Sequence, residues 1–130
     1  YREDIGTRVD EIFNKLPTKR ILERYNWSIY DDPKLFQPVQ SKPFVEFKET
    51  KPNKLFLRVE RQTIRKLPKY GTVLFTIRVH VDPIESILND RHSLKSLKMA
   101  IENLSGPMKD YKSINQFEKS LIDWLEDKIK

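Results

Sequence analysis

The stretch LRVERQTIRKLPKYGTVLFTIRVHVDP, Leu57 to Pro83, decides the fold. Its first arm carries Arg58, Arg61, Arg65 and Lys66, and its second opens on the uncharged run TVLFTI. Pro68, Lys69, Tyr70 and Gly71 lie between them, a turn composition that suits a hairpin loop containing Gly. Strands are therefore expected from Lys54 to Lys66 and from Thr72 to Val81. On the second strand Val73, Phe75, Ile77, Val79 and Val81 share one face, which reads as core. Thr72, Leu74, Thr76, Arg78 and His80 share the other. That mixture suits the lining of a pocket, and equally a half-covered sheet face.

Working outward, Thr7 is placed to cap a short helix, RVDEIFNKL, with Val9, Ile12, Phe13 and Leu16 on one face and Pro17 as its stop. ERYNWSIY, Glu23 to Tyr30, reads as a strand with Trp27 and Ile29 on the same side, followed by a turn at Asp31-Asp32-Pro33. Residues 33–53 hold Pro33, Pro38, Pro43 and Pro52 and read as a long loop with one short strand at FVEF. Downstream, Asp82, Pro83 and Glu85 have the order of an N-cap, an N1 proline and a capping partner. The helical region they open runs to about Leu104. It breaks near Asn89 to Ser93, where Ser93 starts a second helix, and Ser105-Gly106-Pro107 ends it. Ser113 with Gln116 suggests a capping box for a last helix. Ile114, Phe117, Leu121, Trp124 and Leu125 form the buried stripe of that helix. The expected class is α+β, an antiparallel sheet with flanking helices and a C-terminal helical pair. Three or four strands are visible, fewer than a sheet of ordinary width.

Composition narrows the functional classes. The chain has 130 residues, one domain's worth or part of a larger one. Its 25 basic residues against 19 acidic give +6, which favours an anionic partner. There is no Cys, so this segment holds no disulfide, thiolate zinc site or iron–sulfur cluster. No apolar run approaches ~18 residues, so no membrane span is expected and the cytoplasm is the expected location. A chain without Cys is nevertheless tolerated in any compartment.

Candidate chemistry is sparse. His80 and His92 are each alone, and His80 is better placed, at the end of the mixed strand face. It reads either as an exposed strand-end residue or as a metal-binding or catalytic imidazole. Gly6, Gly71 and Gly106 are isolated, so no Gly-rich phosphate loop exists. Arg61, Arg65, Lys66 and Lys69 fall in a run without an acid, which allows three readings. One is a charged edge that resists strand pairing. The second is a nucleic-acid surface, against which stand the absence of interleaved aromatics and of a recognised motif. The third is a carboxylate site, because the planar guanidinium fork matches a carboxylate.

The whole run resembles the signature of the haem-dependent oxidative N-demethylase-like family. Leu57 to Pro68 follows its pattern L-R-V-E-R-Q-T-L-R-R-L-P, with Ile64 and Lys66 as conservative changes. NWSI at Asn26–Ile29, the Asp-Pro-x-Leu-Phe stretch at Asp32–Phe36 and Asp110-Tyr111-Lys112-Ser113 also fit, so the resemblance spans roughly residues 8–127. It implies a PAS-like antiparallel sheet holding haem b. It also implies oxidative demethylation of a small secondary amine such as dimethylamine, with O₂ and with electrons from a flavin and iron–sulfur reductase partner. The family is longer than these 130 residues, so the chain is expected to be a single domain forming the C-terminal part of a larger one. Arg58, Glu60, Arg61, Gln62, Thr63, Arg65 and Lys112 are the matched positions.

The site expected from resemblance and residues together has Glu60 and Thr76 as catalytic groups. Arg58, Arg61, Gln62, Thr63, Arg65 and Arg78 are expected to bind the cofactor and His80 to bind the metal. Two departures bear on this. The strand that ends in Thr-Tyr in the family ends in Val79-His80 here, so His80 is not carried over from the family. The loop near residues 37–53 is short and lacks His, so the haem ligand can also lie outside this segment. Alternation puts Arg61, Thr63 and Arg65 on one strand face and Glu60, Gln62 and Ile64 on the other, and the Arg61 side is favoured. The alternatives are a haem-free PAS-like binding or sensor module and a basic nucleic-acid-binding domain.

Overall fold

The computed structural model describes residues 2–36 and 52–130, with side chains described from Val9 onward. The elements run α1 (Arg2–Lys15), β1 (Ile21–Tyr30), β2 (Phe56–Lys66), β3 (Val73–Pro83), α2 (Arg91–Glu102), α3 (Gly106–Tyr111) and α4 (Glu118–Ile129), with short 3₁₀ turns at Pro52–Lys54 and Ile84–Ile87. The fold is α+β. Its sheet is antiparallel, in the order β1-β2-β3. The expected strand at FVEF lies outside the described residues.

The register of the β2–β3 hairpin is fixed at both ends. Leu67 N–H donates to Thr72 C=O at 2.8 Å, and Ile84 N–H donates to Leu55 C=O at 2.8 Å. The two arms between these bonds have equal length, so the pairing runs through without a bulge. Arg65 then faces Leu74, Thr63 faces Thr76, Arg61 faces Arg78 and Val59 faces His80. The Thr63 and Thr76 hydroxyls, 2.6 Å apart, confirm it. The same register puts Pro83 opposite Phe56 at a position where the ladder makes no bond. Its missing N–H therefore points away from β2, as an edge strand permits. Gly71 closes the turn with φ +63°, a left-handed conformation that glycine adopts without strain.

The chain divides into two compact units. One comprises Tyr1–Asn26 and Val59–His80, the other Trp27–Arg58 and Val81–Lys130. The second unit holds the core. Ile29, Leu55, Ile84, Leu94, Leu97, Ile101, Ile114, Phe117, Leu121 and Leu125 are buried together, with Trp27 and Trp124 packed against them. Helix α2 lies on α4, and α4 also meets the 3₁₀ turn at Pro52–Lys54. The stripe read from the sequence of the last helix is thus the heart of this core, as is the pairing of Trp27 with Ile29 on one strand side.

The first unit differs from expectation. The Phe75 face of β3 reads as core in the sequence, yet Phe75 is 48% exposed and Ile77 49%. Alternation marks a face as apolar but not how far cover reaches across it: Gln62, on the same face of central β2, is buried, while Phe75 and Ile77 on the outer strand stay half exposed. Leu16, just past the end of α1, is buried, while Val9 and Ile12 within the helix are exposed. The charged-edge reading of the Arg61 strand also fails, because β2 is the central strand.

Five expected helix boundaries move. Helix α1 begins at Arg2, so Thr7 lies within it and does not cap it. The strand continues through Pro83, and the expected Asp82–Glu85 start yields only a 3₁₀ turn without a side-chain cap. Asp90, rather than Ser93, caps α2: its carboxylate accepts from His92 N–H at 3.0 Å and from the Ser93 hydroxyl at 2.5 Å. Ser105-Gly106-Pro107 opens α3 instead of ending a helix, with Pro in the first turn, where its missing N–H costs nothing. Ser113 is likewise no N-cap. It takes φ 55°, just past the end of α3. Ile114 N–H donates to Lys109 C=O at 2.9 Å and Ser113 N–H to Asp110 C=O at 3.0 Å. These two bonds are a Schellman motif, with Ser where glycine is usual and with Ile114 buried at the following position.

Candidate functional site

The register sorts the expected site residues by face. Arg61, Thr63, Arg65, Thr76, Arg78 and His80 belong to one face of the β2–β3 hairpin, all within the first unit. Glu60 and Gln62 belong to the other. The two expected catalytic groups, Glu60 and Thr76, are therefore on opposite faces.

Each face has its own network. Behind the hairpin, Gln62 is buried, and its amide bridges two neighbours. Arg24 Nε donates to Gln62 Oε1 at 2.6 Å, and Gln62 Nε2 donates to Glu60 Oε2 at 3.0 Å. A buried amide that is bonded on both sides fixes strand pairing. On the front, the Arg61 guanidinium forms an ion pair with Glu23 of β1. The Glu23 carboxylate, with the Tyr25 hydroxyl beside it, holds the Arg61 pKa above its ordinary value. Lys66 points elsewhere: its ammonium donates to Asn14 C=O at 3.2 Å and to Phe13 C=O at 3.4 Å, a cation at the C-terminal carbonyls of α1. Arg65 and Arg78 have no ion pair among the described residues. His80 is exposed on the same face as Arg78.

Two matched positions sit in the second unit. Arg58 lies 5.7 Å over the Tyr30 ring and donates to Leu35 C=O at 3.3 Å. Lys112 is only 8% exposed, and its ammonium lies 5.0 Å over the Trp27 ring while donating to Trp27 C=O. Both cations tie loops to the end of β1. Sequence reasoning missed Glu23, Tyr25 and Arg24. Their spacing in ERYNWSIY shows only which residues alternate, and the pairing of β1 with β2 was not readable.

Among the described residues no three His, Cys, Asp or Glu side chains gather as a metal site. No helix among them is long and apolar enough to cross a membrane. The front face thus carries three guanidinium groups and one imidazole, all exposed. By type, these side chains can donate to carboxylates and offer one nitrogen electron pair, the chemistry a haem's propionates and iron would call for. A family model described as "Haem-dependent oxidative N-demethylase, alpha subunit-like" matches residues 1–122. The chain belongs to that family.

Proposed function

We propose that this chain is the haem-holding part of an oxidative N-demethylase acting on a small secondary amine such as dimethylamine. The observation that carries the reading is the single hairpin face that collects His80, Arg78, Arg61 and Arg65. Haem b would supply oxygen activation at its iron. In the overall reaction one oxygen atom of O₂ leaves in formaldehyde and the other in water. Two protons and two electrons are consumed, and the primary amine is released. The electrons come from a flavin and iron–sulfur reductase partner, consistent with the absence of Cys in this chain.

The residues divide the work. His80 would be the residue to bind the iron. Arg78 and Arg65 would hold the propionates through charge-assisted bonds. Arg61, held by Glu23, sets the charge of the face. The Thr63–Thr76 hydroxyl pair can accept or donate, and it is the polar group on this face suited to orienting an amine N–H. Glu60, turned to the other face and bonded to Gln62, acts by holding the strands in register.

The test is an absorption spectrum of protein made with haem supply, combined with formaldehyde release from dimethylamine in the presence of a reductant. A stoichiometric Soret band that His80→Ala abolishes, together with amine-dependent formaldehyde, is the expected result. A full Soret band in His80→Ala would move the ligand off His80. No band in any form would leave a haem-free binding module.

A further inference from the structure

We propose that Arg78, more than Arg65 or Arg61, holds a carboxylate on the front face, and that Glu23 is a built-in competitor that weakens the site. The proposal rests on the reading of this face as a carboxylate site and goes on to name which cation serves it and what limits its affinity.

The register puts Arg61 and Arg78 directly opposite each other on one face. Such neighbours have Cβ atoms roughly 4.5–5.5 Å apart, and like charges so placed repel. A single carboxylate, Glu23, reaches this pair among the described residues, and it bonds Arg61. The Tyr25 hydroxyl adds to the same guanidinium. Arg61 is therefore satisfied, while Arg78 has no carboxylate partner among the described residues. An incoming carboxylate gains most at Arg78, where a bidentate pair forms and the repulsion from Arg61 is relieved. Glu23 opposes it twice. Its negative charge lies on the same face, and it occupies the second guanidinium that would otherwise join in. Arg61 and Arg78 thus have unequal roles although both are arginines on the same face.

Two sources carry the right chemistry, the propionates of haem and a free dicarboxylic acid. The experiment separates them. The whole chain and its Arg78→Gln, Arg78→Lys, Arg61→Gln and Glu23→Gln variants are titrated with haemin and with haemin dimethyl ester, followed by Soret absorbance. Succinate is titrated separately against the arginine Nε–H resonances. Loss of one charge-assisted bidentate contact should weaken haemin binding roughly tenfold or more in Arg78→Gln, partly in Arg78→Lys, and leave the ester unchanged. Arg61→Gln should cost less than Arg78→Gln. Glu23→Gln should tighten haemin binding several-fold, a gain that a purely structural ion pair would not produce.

Equal preference for haemin over its ester in wild type and Arg78→Gln overturns the assignment. So does weakening by Glu23→Gln. If wild type binds neither haemin nor ester, the haem reading fails, and succinate alone decides the proposal. A succinate shift at Arg78, enhanced in Glu23→Gln, keeps it as a site for a free dicarboxylate. No shift at Arg78 ends it.

Discussion

Single residues in this chain carry constraints that their type does not announce. Ser113 occupies a left-handed backbone position, φ 55°, at the end of α3. A side chain there costs on the order of 1 kcal/mol relative to glycine. Ser113→Gly should therefore raise stability by about that amount, and a β-branched Ser113→Val should lower it, as read from denaturant midpoints. An N-cap role would predict the opposite sign for Gly, so this measurement separates the two placements. The expected capping box was legible as a pattern, Ser followed by Gln three residues on. The structure uses Ser113 and Ile114 instead to finish the helix before, because burying Ile114 in the core fixes where the chain must turn. Lys66 makes the same point from the charge side. It is one of the cations of a basic run, yet its ammonium is given to the carbonyls ending α1.

At the scale of elements, boundaries are set by competition among neighbouring caps. Ser93 and Asp90 are both capable N-caps three residues apart, and the Asp90 carboxylate takes both the His92 N–H and the Ser93 hydroxyl. These bonds, the one from the Ser93 hydroxyl foremost, hold the Asp90 pKa below its ordinary 3.8. A carboxylate with a lowered folded pKa adds stability that is fully present above the unfolded value, near 3.8. That stability is lost as pH falls through the folded value. Asp90→Ala should thus lower the melting temperature by a few degrees at neutral pH. The difference from wild type should shrink as pH falls from about 3.8 through the folded value. A difference that stays constant through the acid range would show that Asp90 acts through something other than its charge. Central β2 shows a second competition. Its charges look like protection for an edge, but both of its sides are paired, so Arg61 serves Glu23 on β1 and Lys66 the carbonyls that end α1.

At the scale of the whole molecule, the two units are stabilised unequally. The second holds the buried cluster around Phe117, Leu121 and Leu125. Leu121→Ala, at a fully buried position, should cost about 2–5 kcal/mol. Phe75→Ala, on a face nearly half exposed, should cost far less. Thermal or denaturant unfolding of both variants checks this, and a comparable loss from Phe75→Ala would show that its face is covered in solution. The sequence by itself determined the α+β class, the hairpin, the core stripe of the last helix, the break before α2 and the family signature. All of these are local periodicities or contiguous motifs, and a one-dimensional pattern contains them. Tertiary structure alone decided that Glu23 neutralises Arg61, that Arg78 faces Arg61, that Glu60 and Thr76 lie on opposite faces and that Phe75 and Ile77 stay half exposed. Each of these depends on which strand lies beside which, and in what register. Alternation gives the parity of a strand but not its partner, so the charge balance of the front face exists only once β1, β2 and β3 are side by side.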